Sequence, residues 1–188
     1  MTAPEAGATP AAQAGAPPAV AGVVLIGPPG AGKSTVGALL ASRLGVVFAD
    51  TDDIVAAAAG KPVRDIFVED GEPAFRELER GAAARGLDAV KPEGGVLALG
   101  SGAVLDPDVR RMLAGRLVVY LDADFATVAR RTGMDRPRVV IPGNPRGRLR
   151  AMLEERRPVY ADLASVIIPT DGRAPEEVAA DLAKRLRS

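Results

Sequence analysis

Five short apolar segments alternate with longer amphipathic segments along the chain. The apolar segments are rich in β-branched residues, which is typical of strands buried on both faces of a parallel sheet. We predict these strands at residues 21–27, 46–50, 95–100, 116–123 and 165–170. Strands that alternate with helices indicate an α/β domain, in which a five-stranded parallel sheet is flanked by helices.

The segments between the strands have apolar residues at helical spacing. We predict helices at about residues 33–44, 52–59, 107–114, 124–132, 148–164 and 175–187. Residues 64–86 indicate a helical hairpin that bends at Gly71–Pro73. Residues 133–147 contain three prolines and three glycines, and this composition predicts a mobile loop.

The overall charge argues against a general nucleic-acid-binding protein. The chain has 24 Lys and Arg residues against 24 Asp and Glu residues, so the basic excess of such proteins is missing. Aromatic residues make up 3% and tryptophan is absent, so stacking on exposed bases is not expected. We find no apolar run of about 18 residues and expect no membrane partner.

Cysteine and histidine are both absent from the sequence. A disulfide framework and a thiolate zinc site are therefore excluded. A general base must be a carboxylate, or less commonly a lysine or tyrosine. Residues 1–18 are rich in Ala, Pro and Gly and do not resemble a secretory signal, so we expect a disordered leader, one domain over 19–188 and a cytoplasmic protein.

Residues 27–35 read GPPGAGKST and match the pattern G-x-x-x-x-G-K-[ST]. Such glycines let the backbone wrap around phosphates with its N–H groups directed inward. Lys33 would reach the outer phosphates, and the Ser34 hydroxyl would ligate Mg²⁺. The loop lies between a predicted strand and a predicted helix, as this mechanism requires, so we predict binding of ATP or GTP.

The second predicted strand ends in FADTDD, residues 48–53. Asp50 and Asp52 are two residues apart, so they share a face of an extended strand end. One carboxylate can help to hold Mg²⁺ through water, and Asp52 is the natural candidate for the base. The alternative is that Thr51 and Asp52 only cap the helix that follows.

Two further segments are candidates for binding an acceptor. In GEPAFRELE, residues 71–79, the planar guanidinium of Arg76 suits a carboxylate. The alternatives are a solvated arginine or an i,i+3 pair with Glu79. In LGSGAV, residues 99–104, the glycine turn could offer N–H groups to a ligand or could be a plain turn.

Between residues 130 and 157 the chain has nine arginines against three acidic residues. A mobile, arginine-rich segment near a phosphate loop suits a lid that closes over ATP and excludes water. The alternative is a solvated basic helix face, which we prefer for Arg146, Arg148 and Arg150.

These segments together resemble the shikimate kinase family. The resemblance covers roughly residues 20–188, and the motifs occur in family order: GPPGAGKST, FADTDDIV, IFVEDGEPAFRELE, LGSGAV, RRTG followed by Arg-Pro, and RRPVY. It implies a fold like that of nucleoside-monophosphate kinases, with a lid near 133–147 and substrate-binding helices near 52–86. It also implies ATP-dependent phosphorylation of the shikimate 3-hydroxyl, toward chorismate and the aromatic amino acids, by a monomer.

The resemblance also implies roles for single residues. Lys33 contacts the transferred phosphoryl group, Asp50 supports Mg²⁺ through water, and Asp52 binds shikimate hydroxyls and acts as the base. Shikimate is further bound by Arg76, Ser101, Gly102 and Arg156, with the arginines on its carboxylate. Arg136 is the lid arginine that reaches the phosphates. ATP is bound by Gly30, Ala31, Gly32, Lys33, Ser34, Thr35, Arg131, Arg136 and Arg173.

The chain departs from the family pattern in two places. Ser101 stands where the family usually has the middle of three glycines, and its Cβ and hydroxyl could alter the acceptor pocket. The lid is also changed, because only Met134 and Asp135 separate RRTG from Arg136, and 138–140 lack the usual leucines. Two other functions stay open: a related small-acid kinase, for example one that acts on gluconate, and a nucleotide-binding regulator without turnover.

Overall fold

The computed structural model describes residues 22–90, 94–134 and 144–187. Five strands lie close to the predicted positions, each shorter than expected at one or both ends. They are β1 (Val23–Ile26), β2 (Val47–Asp50), β3 (Gly95–Ala98), β4 (Leu117–Asp122) and β5 (Val166–Pro169).

The strands form one sheet in the order β2-β3-β1-β4-β5, and all four pairings are parallel. The central strand β1 pairs through Val23 with Val96 on one side and with Leu117 on the other. The predicted five-stranded parallel sheet is therefore confirmed. Because the three strands β2, β3 and β1 are neighbours, their carboxyl ends lie side by side.

Eight helices accompany the sheet in the described part of the chain. They are α1 (Lys33–Leu44), α2 (Thr51–Ala59), α3 (Val63–Glu69), α4 (Gly71–Ala89), α5 (Pro107–Leu113), α6 (Phe125–Arg131), α7 (Pro145–Leu163) and α8 (Pro175–Arg185). A short 3₁₀ turn, Ala103–Leu105, precedes α5. The predicted helices are all present, and most of their ends agree within two residues.

Two helix boundaries differ from the sequence-based expectation for local reasons. The predicted hairpin is two helices that meet at Asp70–Gly71, and Pro73 lies within the first turn of α4, where its missing N–H costs nothing. Helix α7 begins three residues earlier than predicted, because the Asn144 side chain accepts a hydrogen bond from Gly147 N at 2.8 Å and Pro145 occupies the first helical position.

Alternate residues of the central strand enter two separate apolar layers, as a pleated strand requires. Val23 and Leu25 pack among side chains of α1, α6 and α8 on one face of the sheet. Val24 and Ile26 pack among side chains of α4, α5 and α7 on the other. The sheet is thus buried on both faces, which explains the continuous apolar runs in the sequence.

Helices α2, α3 and α4 form a small layer of their own beyond the end of β2. Its core contains Val55, Ile66, Phe75 and Ala82, all buried. The Phe67 and Phe75 rings lie 4.2 Å apart between centroids. This helical layer covers the residues near 52–86 for which the resemblance implies substrate binding, and that role stays a prediction.

Several sequence-based expectations fall on residues outside the described ranges. They concern the leader over 1–18, Arg136, and 135–143 of the expected lid. Of the helices in the described part of the chain, none is both long enough and apolar enough to cross a membrane.

Two helical glycines should respond in opposite ways to alanine. At Gly37 an added Cβ would lie 2.6 Å from Phe48 Cε2 and 3.2 Å from Leu25 Cδ1, whereas at Gly81 the nearest atom is 3.8 Å away. We expect Gly37→Ala to lower the free energy of unfolding by about 1–3 kcal/mol through overpacking. Gly81→Ala should raise it by about 0.5–1 kcal/mol through helix propensity.

Urea unfolding of the two variants and the parent measures both effects. Equal stabilisation by the two alanines would show that α1 moves away from β2 without cost, contrary to the packing described here.

Candidate active site

The phosphate loop, residues 27–32, connects the carboxyl end of β1 to the N-terminus of α1. Gly27 and Gly32 have φ values of 144° and 97°, which side-chain-bearing residues rarely adopt. At Gly27 a Cβ would also lie 2.5 Å from the Leu121 carbonyl oxygen. Helix α1 begins at Lys33, so the loop and the helix N-terminus together present the backbone N–H groups that bind phosphate.

The side chain of Lys33 folds against this loop. Its ammonium donates hydrogen bonds to the carbonyl oxygens of Gly27 (2.9 Å) and Pro28 (3.0 Å). Burial lowers the pKa of Lys33 to about 8, although the carboxylates of Asp52 and Asp50 act in the opposite direction. Lys33 is therefore charged at neutral pH but loses its proton only slightly above it.

Asp50 ends β2 and caps α2. Its Oδ1 accepts a hydrogen bond from Asp52 N at 2.9 Å, so the capping role that the sequence suggested for Thr51 and Asp52 belongs to Asp50. Thr51 is fully buried, and its Oγ1 accepts a hydrogen bond from Gly100 N at 2.8 Å. This bond joins the carboxyl ends of β2 and β3, both of which border the cleft that contains Lys33.

Asp52 lines the same cleft as Lys33 and Asp50. By solvent accessibility Asp52 is an exposed residue, yet its pKa is raised. The first cause is burial of the carboxyl group and the second is the negative charge of Asp50, while Lys33 acts in the opposite direction. A carboxylate with a raised pKa is a better proton acceptor than an ordinary aspartate.

Arg76 is held by two carboxylates of its own helix. Its Nη1 donates to Glu79 Oε2 at 2.7 Å, and its Nε and Nη2 donate to Glu72 Oε1 at 3.3 and 3.1 Å. Glu79 is only 4% exposed, and burial raises its pKa although Arg76 acts against this shift. The i,i+3 pair considered from the sequence is therefore present, and its buried Glu79 carboxylate holds the partly exposed guanidinium in place.

The turn after β3 shows why serine is accepted in place of one of the usual glycines. A Cβ at Gly100 would lie 2.8 Å from Glu79 Oε1, and a Cβ at Gly102 would lie 2.5 Å from Arg76 Nη1. Ser101, between them, has a negative φ that any residue can adopt. The two outer glycines are thus required by the approach of the Arg76–Glu79 pair, whereas the middle position is free to carry a side chain.

Arg156 reaches this turn from α7. Its Nη1 donates to the Ser101 carbonyl oxygen at 3.4 Å. Its Nε is buried and has no hydrogen-bond partner among the described residues. A buried guanidinium nitrogen without an acceptor is costly, so this nitrogen is a candidate donor to an anionic ligand.

A second cleft of ≈ 620 Å³ lies on the other side of the phosphate loop. Arg131 borders it and donates from Nη1 to the Gly30 carbonyl (3.1 Å) and from Nη2 to the Thr170 carbonyl (2.9 Å). Arg173 borders it as well and is paired with Asp181 at 3.3 Å. Arg131 supports the loop through its bond to Gly30, and both arginines give the cleft a positive edge.

The structure brings most of the predicted site residues together. The cleft that contains Lys33 has a volume of ≈ 320 Å³. It is lined by Gly30, Gly32, Lys33, Ser34, Thr35, Asp50, Asp52, Gly100 and Ser101, among others. Ala31 borders the larger cleft. Arg76 and Arg156 lie next to the smaller cleft, because Arg76 contacts Gly102 and Arg156 bonds to Ser101 in the turn that borders it. Arg136 lies outside the described residues, so its role stays a prediction.

Three residues of the site were not predicted as functional from the sequence. They are Thr51, which bonds to Gly100, Glu79, which holds Arg76, and Tyr160, which donates to the Ser101 carbonyl at 2.6 Å. Each has a weak local signal. Glu79 and Tyr160 lie three and four residues after a predicted arginine, and Thr51 lies between two predicted aspartates.

The sheet order, the phosphate loop after the central strand, and the ≈ 320 Å³ cleft that holds Lys33, Asp50 and Asp52 are the features of a P-loop kinase. A family model described as "SKI: Shikimate kinase" matches residues 29–187. The chain therefore belongs to the shikimate kinase family.

Individual relatives agree with this assignment. The shikimate kinase of Thermobifida fusca is 53% identical over 87% of this chain and 93% of its own length. That of Streptomyces avermitilis is 49% identical over 84% and 90%. The structure of shikimate kinase from Acinetobacter baumannii in complex with shikimate has a TM-score of 0.79 and 32% identity, over 89% of this chain and 93% of that one.

The lowered pKa of Lys33 predicts how ATP affinity depends on pH. Above about pH 8 the free protein loses the Lys33 proton and must take it up again to bind the phosphates. We expect the Kd for ATP to be nearly constant from pH 7 to about pH 8 and then to rise by up to about tenfold per pH unit.

Calorimetric titration of ATP between pH 7 and pH 9.5 measures this profile, with Lys33→Met as the matched control. The control should bind ATP more weakly and with a flat profile over this range. The same rise in the control would assign the titration to another group.

Proposed function

We propose that this chain transfers the γ-phosphoryl group of ATP to the 3-hydroxyl of shikimate. The observation that carries the proposal is the arrangement of Arg76 and Arg156, which come from two different helices to the turn at Ser101–Gly102. This positive region adjoins the cleft of Lys33 and Asp52. The site thus suits an acceptor that has a carboxylate at one end and a hydroxyl at the other.

The carboxylate of the acceptor is proposed to bind the two arginines. A guanidinium binds a carboxylate well through two parallel hydrogen bonds. The Nε of Arg156 supports this assignment, because it has no partner in the part of the chain that the structure describes and a carboxylate oxygen would supply the acceptor. Arg76 keeps its orientation through Glu79, and Gly102 allows its close approach. We propose that the backbone N–H groups of Ser101 and Gly102 complete this end of the site.

The phosphoryl transfer is proposed to depend on positioning and electrostatics, as is usual for this chemistry. Lys33 offsets the negative charge of the transferring group, and Arg136 joins it from the lid. Asp52 orients the attacking hydroxyl and accepts its proton as the new O–P bond forms and the bond from the γ-phosphorus to the β,γ-bridging oxygen breaks, which releases ADP. The raised pKa of Asp52 supports its role as proton acceptor.

ATP is proposed to lie along the phosphate loop, with its base in the larger cleft. The N–H groups of 30–35 would hold the phosphates, and Arg131 and Arg173 border the cleft that would take the rest of the nucleotide. Two clefts that share Gly30, Gly32 and Thr35 support this arrangement, since donor and acceptor then meet at the loop.

The residues present fit a Mg²⁺ ion that is bound mainly by phosphate and water. Ser34 and Asp50 line the cleft with oxygen donors, and no group of three acidic side chains in the described ranges could hold a metal without other ligands. We propose that the Ser34 hydroxyl binds the ion directly and that Asp50 binds it through water. When bound, Mg²⁺ neutralises charge on the phosphates.

We also propose that the enzyme is a cytoplasmic monomer that has no nucleic-acid partner. The equal numbers of basic and acidic residues support the last point. Light scattering on the purified chain measures the assembly state.

The function is tested by ADP release in a coupled assay with Mg-ATP and shikimate, quinate, gluconate or no acceptor. We expect rapid turnover with shikimate and little with the other acids. Turnover with gluconate in preference to shikimate would indicate the related small-acid kinase instead. ATP binding without turnover on any acceptor would indicate a nucleotide-binding regulator.

Asp52→Asn should separate catalysis from stability. We expect kcat to fall by about 10²–10⁴-fold, because the proton acceptor is lost, while the Kd for ATP stays within about twofold. Near-normal kcat in this variant would contradict the proposed role of Asp52.

The same variant should be more stable than the parent at pH 7 in the absence of substrates. The pKa of Asp52 is raised in the folded state, so the folded protein holds this proton at pH values where the unfolded chain has lost it. The free energy of unfolding therefore falls as pH rises above the ordinary value of 3.8, and asparagine removes this cost. Urea unfolding at pH 7 and pH 3 should show a stability gain at pH 7 that disappears at pH 3.

A further inference from the structure

Tyr160 lies one helical turn after Arg156 on α7 and faces the same part of the site. Its side chain is 1% exposed, and its hydroxyl donates a hydrogen bond to the Ser101 carbonyl oxygen at 2.6 Å. Arg156 Nη1 donates to the same oxygen at 3.4 Å. Two donors from one face of α7 thus converge on one peptide group of the turn after β3.

The orientation of that peptide group determines where the next N–H points. The peptide between Ser101 and Gly102 is trans, so the N–H of Gly102 lies on the opposite side from the carbonyl that Tyr160 binds. The turn itself is closed by bonds from Ala103 N to Gly100 O and from Leu105 N to Gly102 O. The Gly102 N–H takes part in neither bond, and Gly102 packs so close to Arg76 that an added Cβ would lie 2.5 Å from its Nη1.

Tyr160 is itself held in place from the core. Its ring stacks on that of Tyr120 with 5.2 Å between the centroids. Tyr120 in turn donates from its hydroxyl to Asp122 Oδ1 at 2.6 Å, and Arg157 donates to the same oxygen at 3.1 Å. Burial raises the pKa of Tyr160 to about 12, so its hydroxyl keeps its proton and stays a donor over the whole neutral range.

We propose that Tyr160 is a positioning residue for the acceptor. Its hydroxyl fixes the Ser101–Gly102 peptide so that the Gly102 N–H is directed to the acceptor carboxylate, between Arg76 and Arg156. This inference rests on the proposed function, because it concerns the binding of the same acceptor. It predicts an effect on the acceptor and not on ATP, since the Tyr160 hydroxyl bonds to the Ser101 carbonyl and, among the described residues, Tyr160 is not part of the lining of the larger cleft.

The chain provides a matched control for the experiment. It contains two tyrosines, and both donate a short hydrogen bond from a buried ring in the same stacked pair. The Tyr160 hydroxyl bonds to the turn at the site, whereas the Tyr120 hydroxyl bonds to Asp122 at the end of its own strand. Tyr160→Phe and Tyr120→Phe therefore remove equivalent groups, of which only one touches the acceptor turn.

Steady-state kinetics on both variants and the parent test the proposal. For Tyr160→Phe we expect the KM for shikimate to rise roughly tenfold, as loss of a buried hydrogen bond implies, while the KM for ATP changes less than about twofold. For Tyr120→Phe both KM values should stay within about twofold of the parent. A general loss of packing would raise both KM values, or would act equally in the two variants, and either result would overturn the proposal.

A second measurement uses Tyr120→Phe, in which Tyr160 is the single tyrosine of a chain without tryptophan. Its fluorescence then reports Tyr160 alone. We expect the emission, corrected for the light that ATP absorbs, to change on addition of shikimate and not on addition of ATP, because the proposal places the acceptor carboxylate against the Ser101–Gly102 peptide and the phosphates against the loop at 30–35. An unchanged emission at saturating shikimate would overturn the proposal, even if Tyr160→Phe fails to fold.

The parent enzyme separates this inference from the proposed function. If the parent turns over shikimate but Tyr160→Phe has a normal KM for it, the function stands and the inference fails. If the parent turns over no acceptor, both fail.

Discussion

The parallel pairing of β2, β3 and β1 is the constraint on which the site depends. Because the three strands are neighbours and run in one direction, the phosphate loop, the aspartates after β2 and the glycine turn after β3 leave the sheet at one edge. The buried bond from Gly100 N to Thr51 Oγ1 then fixes the spacing between the last two segments. The side chains and N–H groups at these three strand ends are therefore brought together by the sheet itself, which fixes their relative positions.

Bringing charged side chains together in a partly buried site costs free energy, and the pKa shifts of three of them show this cost. Burial disfavours the charged forms of Lys33, Asp52 and Glu79, lowering the pKa of the lysine and raising those of the two acids. The two apolar layers on the faces of the sheet supply the stability that offsets this cost. A site of this kind is expected to be less stable than its surroundings until a charged ligand supplies the missing partners.

Arg76 and Ser101 show how much of the candidate site a sequence pattern can predict. For Arg76 the sequence left three possibilities: a solvated residue, an ion pair with Glu79, or a clamp for a carboxylate. The structure shows that the pair and a position at the site occur together, because Glu79 is buried and holds the guanidinium against Gly102. A serine at position 101 fits because the neighbouring positions 100 and 102 are the crowded ones, which the sequence alone does not show.

The sequence by itself determined that the sheet is parallel and five-stranded, and it placed the strands and helices to within a few residues. It also determined the phosphate loop and the family, since all of these follow from local patterns and consecutive motifs. It also placed the candidate residues Lys33, Asp50, Asp52, Arg76 and Arg156. Only the tertiary structure decided that Asp50 caps α2, that the outer glycines of the turn face Arg76 and Glu79, and that Tyr160 reaches the Ser101 carbonyl. These contacts join residues up to 59 positions apart. No local or periodic pattern in the sequence indicates them, because they depend on how α4 and α7 pack at the edge of the sheet.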